Sequence, residues 1–119
     1  MREVKKWMEK AEKDLLRAKL LFSSDDFEGC AFHAHQAAEK ALKALYILKF
    51  KRLWKIHDLK ELSLKLNAGD KVVEACKKLN PHYVETRYPT EMVYTKRIAN
   101  DALKNASLVV EWARKKLRR

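Results

Sequence analysis

The sequence is poor in the residues that turn a chain sharply. Its 119 residues include two glycines and two prolines. An all-β sandwich needs turn residues every 8–12 positions or so, which excludes that class. A doubly wound α/β domain is also disfavoured, because no run of β-branched residues lies between glycine-rich turns. An all-helical fold remains, and the many Ala, Leu, Lys and Glu residues favour it.

Motifs for metal, phosphate and nucleophilic chemistry are scarce. Gly29 and Gly69 stand alone, which excludes a P-loop and a dinucleotide-binding fingerprint. His33 and His35 would lie about 200° apart around a helix, so their rings cannot share one metal ion. The chain also lacks the C-x₂-C and H-x₃-H spacings of zinc sites. We therefore expect no metal and no cofactor.

The cysteines and the apolar runs argue against export and against a membrane span. Cys30 and Cys76 each fall within a helical pattern, so we expect reduced thiols in a cytoplasmic protein. The sequence MREVKKWMEK at the start has no apolar signal region. The longest apolar stretch, ALKALYILKF, is interrupted by Lys43 and Lys49 and is too short to cross a bilayer. We expect a soluble protein with no membrane partner.

Basic residues outnumber acidic ones, and the formal net charge is +11. Residues 1–50 contain ten Lys and Arg against eight Asp and Glu, whereas residues 51–119 contain seventeen against eight. Such an excess attracts polyanions or an acidic partner. The alternative is a solubilising surface of the thermophile type, which the single glutamine also fits. The polyanion interpretation predicts a C-terminal basic patch of Arg114, Lys115, Lys116, Arg118 and Arg119.

Apolar residues recur at helical spacing over most of the chain. The pattern predicts five helices, over about residues 3–22, 26–50, 58–66, 71–79 and 90–117. Asp25 or Asp26 is expected to cap the second helix, Asp70 the fourth and Thr90 the fifth. Pro81 should break or restart the fourth helix. We predict one all-α domain over residues 1–119, an antiparallel up-and-down bundle of four or five helices.

The second helix is apolar on two sides. One side is an alanine-rich seam, and Phe32, Ile47 and Phe50 fall on the opposite side. Such a helix is either covered by the third or fourth helix of its own chain or buried against another chain. We favour a homodimer that uses these three residues as anchors.

Two short segments are candidates for ligand binding. The HDL segment at 57–59 follows a basic linker, KFKRLWKI at 49–56, and His57 offers ring nitrogens to a ligand or to a helix cap. The RYP segment at 87–89 offers the Arg87 guanidinium to a phosphate, while its proline keeps Tyr88 out of helical geometry. The structural alternative is a capping pair at His57 and an Arg87 that pairs with a carboxylate or a helix C-terminus.

The order of these motifs carries a family resemblance. The first helix reads W-x₃-A-x₂-DL-x₂-A from Trp7 to Ala18, and the second contains FEGCAFHAHQAAEKALKALYI. HDL-x₂-L and RYP follow, and then a long alanine-rich helix that begins near Tyr94. Over essentially the whole chain, this order resembles the HEPN domain, the higher eukaryotes and prokaryotes nucleotide-binding domain.

The resemblance implies a helical bundle that is usually a homodimer and often partners a minimal nucleotidyltransferase, as in toxin–antitoxin pairs. It also implies a bound nucleotide or RNA. The candidate residues that would bind it are Arg87, Tyr88, His57 and Lys43. Some HEPN proteins are metal-independent ribonucleases with an R-x₄₋₆-H motif late in the bundle. Here the literal match runs from Arg52 to His57, in the linker, and Lys77-x₄-His82 has lysine in place of arginine.

Two hypotheses from different classes follow. In the first, the chain is an accessory or binding protein, which the departure from the ribonuclease motif favours. In the second, it is a ribonuclease toxin in which His57 acts as general acid and base on 2′-OH attack and Arg87 stabilises the phosphorane charge. Placement of Arg87 and His57 on one cleft across a dimer would favour the enzyme.

Overall fold

Helices dominate the computed structural model, which describes residues 2–118 of the chain. Of these residues 77% are helical and none lies in a strand. The helices are α1 (Arg2–Ser23), α2 (Phe27–Phe50), α3 (Leu59–Lys65), α4 (Asp70–Leu79), α5 (Pro81–Glu85) and α6 (Lys96–Leu117). The prediction of an all-α antiparallel bundle is confirmed.

The long helices α1, α2 and α6 pack on one another, and α2 lies at the centre. The predicted alanine seam of α2 is fully buried, which lets neighbouring backbones approach closely. The short helices α3, α4 and α5 also contact α2. The buried alanines of α2 are Ala31, Ala34, Ala37, Ala38, Ala41 and Ala44.

The second apolar side of α2 is covered by the chain itself. Ile47 is 4% exposed and belongs to the core. Phe32 is half-buried, and Phe50 stays at the edge with 36% exposure. The structure thus realises the alternative in which the chain's own helices cover this side. Ile47 is not open to a second copy, whereas Phe32 and Phe50 remain as candidate anchors.

A buried carboxylate joins α1 to α2. Asp14 on α1 is buried, and it accepts hydrogen bonds from Lys40, from His33 Nδ1 (3.0 Å) and from Arg17 (3.2 Å). Burial alone would raise the pKa of Asp14, but the bonds from Lys40 and His33 hold it below its usual value. Asp14 therefore stays ionised and fixes the pairing of the two helices.

Helix capping agrees with the sequence at α2 and differs at two other helices. Asp26 caps α2 through a 2.9 Å bond from Gly29 N, and a Cβ on Gly29 would meet that carboxylate at 2.5 Å. Gly69 is the N-cap of α4, so the prediction for Asp70 is wrong by one residue. Helix α6 begins at Lys96 under a Thr95 cap, not at Thr90.

The late start of α6 follows from the contacts of the residues that precede it. Pro89 interrupts the helical course, and the Thr90 hydroxyl accepts from Met92 N in a local turn (3.3 Å). The Tyr94 hydroxyl is then held by His82 Nδ1 at 2.7 Å. Residues 88–95 therefore form an irregular segment that crosses to the start of α6.

The cysteines are buried and unbonded to each other. Burial raises the pKa of Cys30 to about 11 and that of Cys76 to about 12. Within residues 2–118, no helix is both long enough and apolar enough to cross a membrane.

Candidate functional site

A second buried carboxylate, Glu39, anchors the candidate site. It accepts hydrogen bonds from Lys43 Nζ and from His57 Nδ1, both at 3.0 Å. Burial alone would raise the pKa of Glu39, but the bonds from His57 and Lys43 lower it below its usual value. Glu39 is therefore an ionised acceptor, and it fixes the tautomer of His57 as Nδ1–H. In the neutral form of the ring, the lone pair of His57 is therefore on Nε2.

The Tyr83 ring contacts two of the predicted site residues, His57 and Arg87. The ring of Tyr83, on α5, stacks on the His57 ring with centroids 4.3 Å apart and an interplanar angle of 17°. The Arg87 guanidinium lies 4.4 Å from the Tyr83 centroid and 5.2 Å from that of Phe32. The structure thus brings Arg87 and His57 to the same tyrosine within one chain.

A pair of polar side chains holds His57 near Tyr83. Asp58 caps α3 by accepting from Glu61 N at 3.2 Å, and it also accepts from Asn80 Nδ2 at 2.9 Å. Asn80 Oδ1 in turn accepts from Leu59 N at 2.8 Å. Because Asn80 joins α4 to α5, these bonds tie the start of α3 to the helix that carries Tyr83. The predicted capping role in the HDL segment falls to Asp58, while His57 bonds to Glu39.

His35 lies beside this cluster as a buried base. It is 1% exposed, and neither ring nitrogen has a hydrogen-bond partner among the described residues. Its Nδ1 is 4.0 Å from Glu39 Oε1, and its ring centroid is 5.5 Å from that of Tyr83. Burial lowers the pKa of His35 to about 4, against the opposing pull of the Glu39 charge. His35 is therefore neutral near pH 7.

The remaining predicted binding residues, Tyr88 and Lys43, differ in their exposure to solvent. Tyr88 is 60% exposed next to Arg87, and both line an open cleft of about 340 Å³ with Glu28 and Glu85. His57 and Tyr83 line a second cleft of about 250 Å³. Lys43 is buried, and its ammonium pairs with Glu39. The structure assigns Lys43 to the support of Glu39 and not to a surface open to ligand.

The C-terminal basic patch is partly neutralised by acidic neighbours. Arg114 bonds to Glu12, at 2.8 Å from Nε and 2.7 Å from Nη2, and pairs with Glu111 through Nη1. Lys116 lies 5.9 Å from the Trp112 ring centroid. Lys115 and Arg118 are exposed, and Arg119 lies outside the described residues.

Chemically, the cluster combines a base with a fixed cation. Arg87 has no carboxylate within ion-pair distance among residues 2–118, so its charge is available to an anionic ligand. His57 can take a proton at Nε2 while Glu39 holds its other nitrogen. No group of three or more His, Cys, Asp or Glu residues in the described part of the chain is arranged to hold a metal ion.

Sequence reasoning did not assign three members of this cluster to the site. Glu39 is not singled out by any motif, and His35 enters only through its spacing from His33, which excludes a shared metal ion. Tyr83 was not singled out. One signal was available: an acidic residue at the middle of a helix side that also carries Phe32 and Ile47 must be paired when that side is buried.

Comparisons with known proteins agree with this fold. The family model for the HEPN domain matches residues 4–116. A protein of Methanocaldococcus jannaschii named "Putative toxin MJ1304" is 28% identical over 126 aligned positions, which cover 90% of this chain and 83% of the relative.

Solved structures of similar chains give the same result. TT1696 from Thermus thermophilus superposes with a TM-score of 0.88 at 29% identity, over 98% of this chain and 99% of that one. ST0689, an archaeal HEPN homologue, gives a TM-score of 0.84 at 26% identity, with 98% of each chain covered. Because the HEPN family model matches residues 4–116 of this chain, the chain belongs to the HEPN domain family.

Proposed function

We propose that this chain is the HEPN protein of a toxin–antitoxin type pair and that it binds a nucleotide or RNA at the cluster of Arg87, His57 and Tyr83. In this proposal the protein is a cytoplasmic homodimer and partners a minimal nucleotidyltransferase. The family match and the toxin name of the archaeal relative support the toxin–antitoxin setting. The ligand follows from the chemistry of the cluster.

One observation carries the ligand proposal. Arg87 is stacked on the Tyr83 ring, and no carboxylate of the described residues pairs with it. A guanidinium that only stabilised the fold would be expected to pair with a carboxylate or a helix end. This one is held in place by aromatic packing while its N–H donors stay available. Such a planar donor binds phosphate and carboxylate groups in bidentate geometry, and a phosphate is the group that a nucleotide or RNA presents to it.

Substitution of Arg87 tests this proposal. Arg87→Ala should abolish binding of a nucleoside monophosphate or of a short RNA, measured by titration calorimetry, because the phosphate loses its bidentate donor. The melting temperature should barely change. Arg87→Lys, which keeps the charge but not the planar fork, should bind weakly.

The structural alternative predicts the opposite pattern. If Arg87 mainly ties the loop to Tyr83, Arg87→Ala should destabilise the fold by about 1–3 kcal/mol and leave binding per folded molecule intact. Such a result would remove Arg87 from the site. Val93→Ala, in the irregular segment 88–95, is a suitable control because Val93 is 75% exposed and carries no charge.

The proposed partners can be tested separately from the ligand. The homodimer should sediment at twice the monomer mass. A monomer at high protein concentration would contradict the dimer. A neighbouring gene for a minimal nucleotidyltransferase, whose product copurifies with this chain, would identify the partner.

A second candidate, a metal-independent ribonuclease, is favoured by the His57–Glu39 pair. A histidine whose Nδ1–H donates to a carboxylate is oriented for proton transfer at Nε2, and Arg87 shares its tyrosine neighbour. His57 Nε2 would accept the 2′-OH proton as that oxygen attacks phosphorus. The bond between phosphorus and the 5′-oxygen would then break, the 5′-oxygen would take a proton from water, and a 2′,3′-cyclic phosphate would remain. RNA cleavage should then persist in a chelator and disappear in His57→Ala. Binding without cleavage would favour the accessory protein.

A further inference from the structure

We infer that the basic linker, residues 49–56, is a binding surface for single-stranded RNA that leads to the cluster of Arg87, His57 and Tyr83. This inference rests on the proposed function for the identity of that cluster. It assigns to the linker the polyanion binding that composition alone had placed in the C-terminal basic patch.

The linker lies in a stretch of the chain that carries only positive charge. No acidic residue occurs between Glu39 and Asp58, whereas the segment includes Lys49, Arg52 and Lys55. All three are exposed, and Lys49 reaches the carbonyl of Lys65 at 3.4 Å. Among residues 2–118, no carboxylate lies within ion-pair distance of Arg52 or Lys55. Their charges are available to phosphates.

The C-terminal basic patch is different in this respect. Arg114 is paired with both Glu12 and Glu111, so it contributes little net attraction to a polyanion. Lys115 and Arg118 stay exposed there, but Glu12 and Glu111 place two negative charges against the patch at Arg114. The linker contains no acidic residue, so Arg52 and Lys55 are not opposed in this way and a polyanion should prefer them.

Partly exposed apolar side chains lie between the cations of the linker. Phe50 and Leu53 are 36% and 38% exposed, and they alternate along the chain with Lys49, Lys51 and Arg52. Phe50 contacts Tyr46, whose centroid is 4.5 Å away, and the Lys49 ammonium lies 5.3 Å from the Phe50 centroid. Tyr46 also contacts Trp54 at 5.4 Å. Single-stranded nucleic acids bind to surfaces of this composition because unpaired bases stack on aromatic rings while cations contact the backbone.

The linker is continuous with the site. The linker ends at His57, which stacks on Tyr83. His57 lies five positions after Arg52, so their Cα atoms are at most about 18 Å apart. A strand that follows the linker cations is therefore led towards the Arg87 guanidinium. A rigid duplex would present its phosphates but not its bases to Phe50 and Leu53.

The test compares two charge reversals of equal size. R52E/K55E changes the linker, and K115E/R118E changes the C-terminal basic patch by the same net charge. All four residues are exposed, so thermal melting should show that both variants fold. The probe is a short oligouridylate, which does not pair with itself, and the readout is fluorescence anisotropy over a range of salt concentrations. A duplex RNA of equal length is the comparison ligand.

The inference predicts that R52E/K55E lowers oligouridylate affinity by at least about tenfold and K115E/R118E by less than about threefold. The slope of log affinity against log salt should fall by about 1.4 in the linker variant, because two phosphate contacts of about 0.7 each are lost. Duplex RNA should bind the wild-type protein more weakly. Equal losses in both variants, tighter duplex binding, or no RNA binding by the wild type would overturn the inference.

Arg87→Ala and R52E/K55E together distinguish a failure of the proposed function from a failure of the linker inference. If Arg87→Ala retains oligouridylate binding while R52E/K55E loses it, the linker inference holds and the proposed site fails. If Arg87→Ala loses binding while R52E/K55E retains it, the site holds and the linker inference fails. Binding of anionic vesicles or of an acidic protein, sensitive to R52E/K55E and without RNA binding, would assign the linker to another partner and overturn the inference.

Discussion

Replacing His35 with leucine should remove a large part of the pH dependence of folding between about pH 7 and pH 5. His35 is buried beside Tyr83, and its pKa in the folded chain is about 4 because burial disfavours the charged ring. In the unfolded chain the pKa returns to its ordinary value of 6.5. Within this window the unfolded state binds a proton that the folded state does not, so acid favours unfolding.

The magnitude follows from those two values. One pKa unit corresponds to about 1.4 kcal/mol, so the full effect is about 3.5 kcal/mol, reached below about pH 4. Between pH 7 and pH 5 the free energy of unfolding should fall by about 2 kcal/mol from this residue alone. The lowered pKa values of Asp14 and Glu39 act mainly at lower pH, where carboxylates of the unfolded chain take up protons. The window therefore reports mainly on buried histidines.

Urea denaturation followed by circular dichroism, at about pH 7 and about pH 5, measures the effect. His35→Leu should lose about 2 kcal/mol of the wild-type difference between the two pH values. His35→Gln is a control that is polar but does not titrate, and it should lose the same amount. His82, whose pKa is also lowered by burial, should account for part of what remains. An unchanged pH difference in both variants would show that His35 is not a buried neutral base.

Two further predictions concern the ties between helices. Asp14→Asn should destabilise the fold by about 2–4 kcal/mol, because a buried carboxylate that neutralises Lys40 and Arg17 is lost, and chemical denaturation measures this; a change below about 0.5 kcal/mol would contradict the role of Asp14. Asn80→Ala should cost about 1–2 kcal/mol, since it removes the bonds to Asp58 and to Leu59 N. It should also weaken ligand binding by loosening His57 against Tyr83, whereas Asn100→Ala, a control on α6, should do neither.

The bundle could be predicted because the features that fix it are local. The alanine seam of α2 is visible as an unbroken helical spacing, and Asp26 is a recognisable cap. The start of α6 could not be predicted in the same way. Thr90 and Thr95 are both acceptable caps, and the choice between them depends on the contact of Tyr94 with His82, a residue of another helix.

The candidate site was predictable in part. Arg87 and His57 were found because each lies outside the long helical patterns, in a segment with its own chemistry. Their common neighbour Tyr83 depends on how α5 packs on α2, which the Asn80–Asp58 bond sets. The pairing of Glu39 with His57 joins residues eighteen positions apart, and nothing in the local sequence indicates it. Ile47 was misplaced for a related reason, since the spacing shows an apolar side but not what covers it.

The central claim is that the cluster of Arg87, His57 and Tyr83 binds a phosphate-bearing ligand. Titration of a nucleoside monophosphate into the labelled protein, followed by NMR of the side chains, tests this most directly. The account predicts saturable shifts of the Arg87 guanidinium and His57 ring signals, while the ring signals of buried His82 stay unchanged. Saturable shifts confined to residues outside the cluster, or no shifts at ligand concentrations that approach solubility, would contradict the claim.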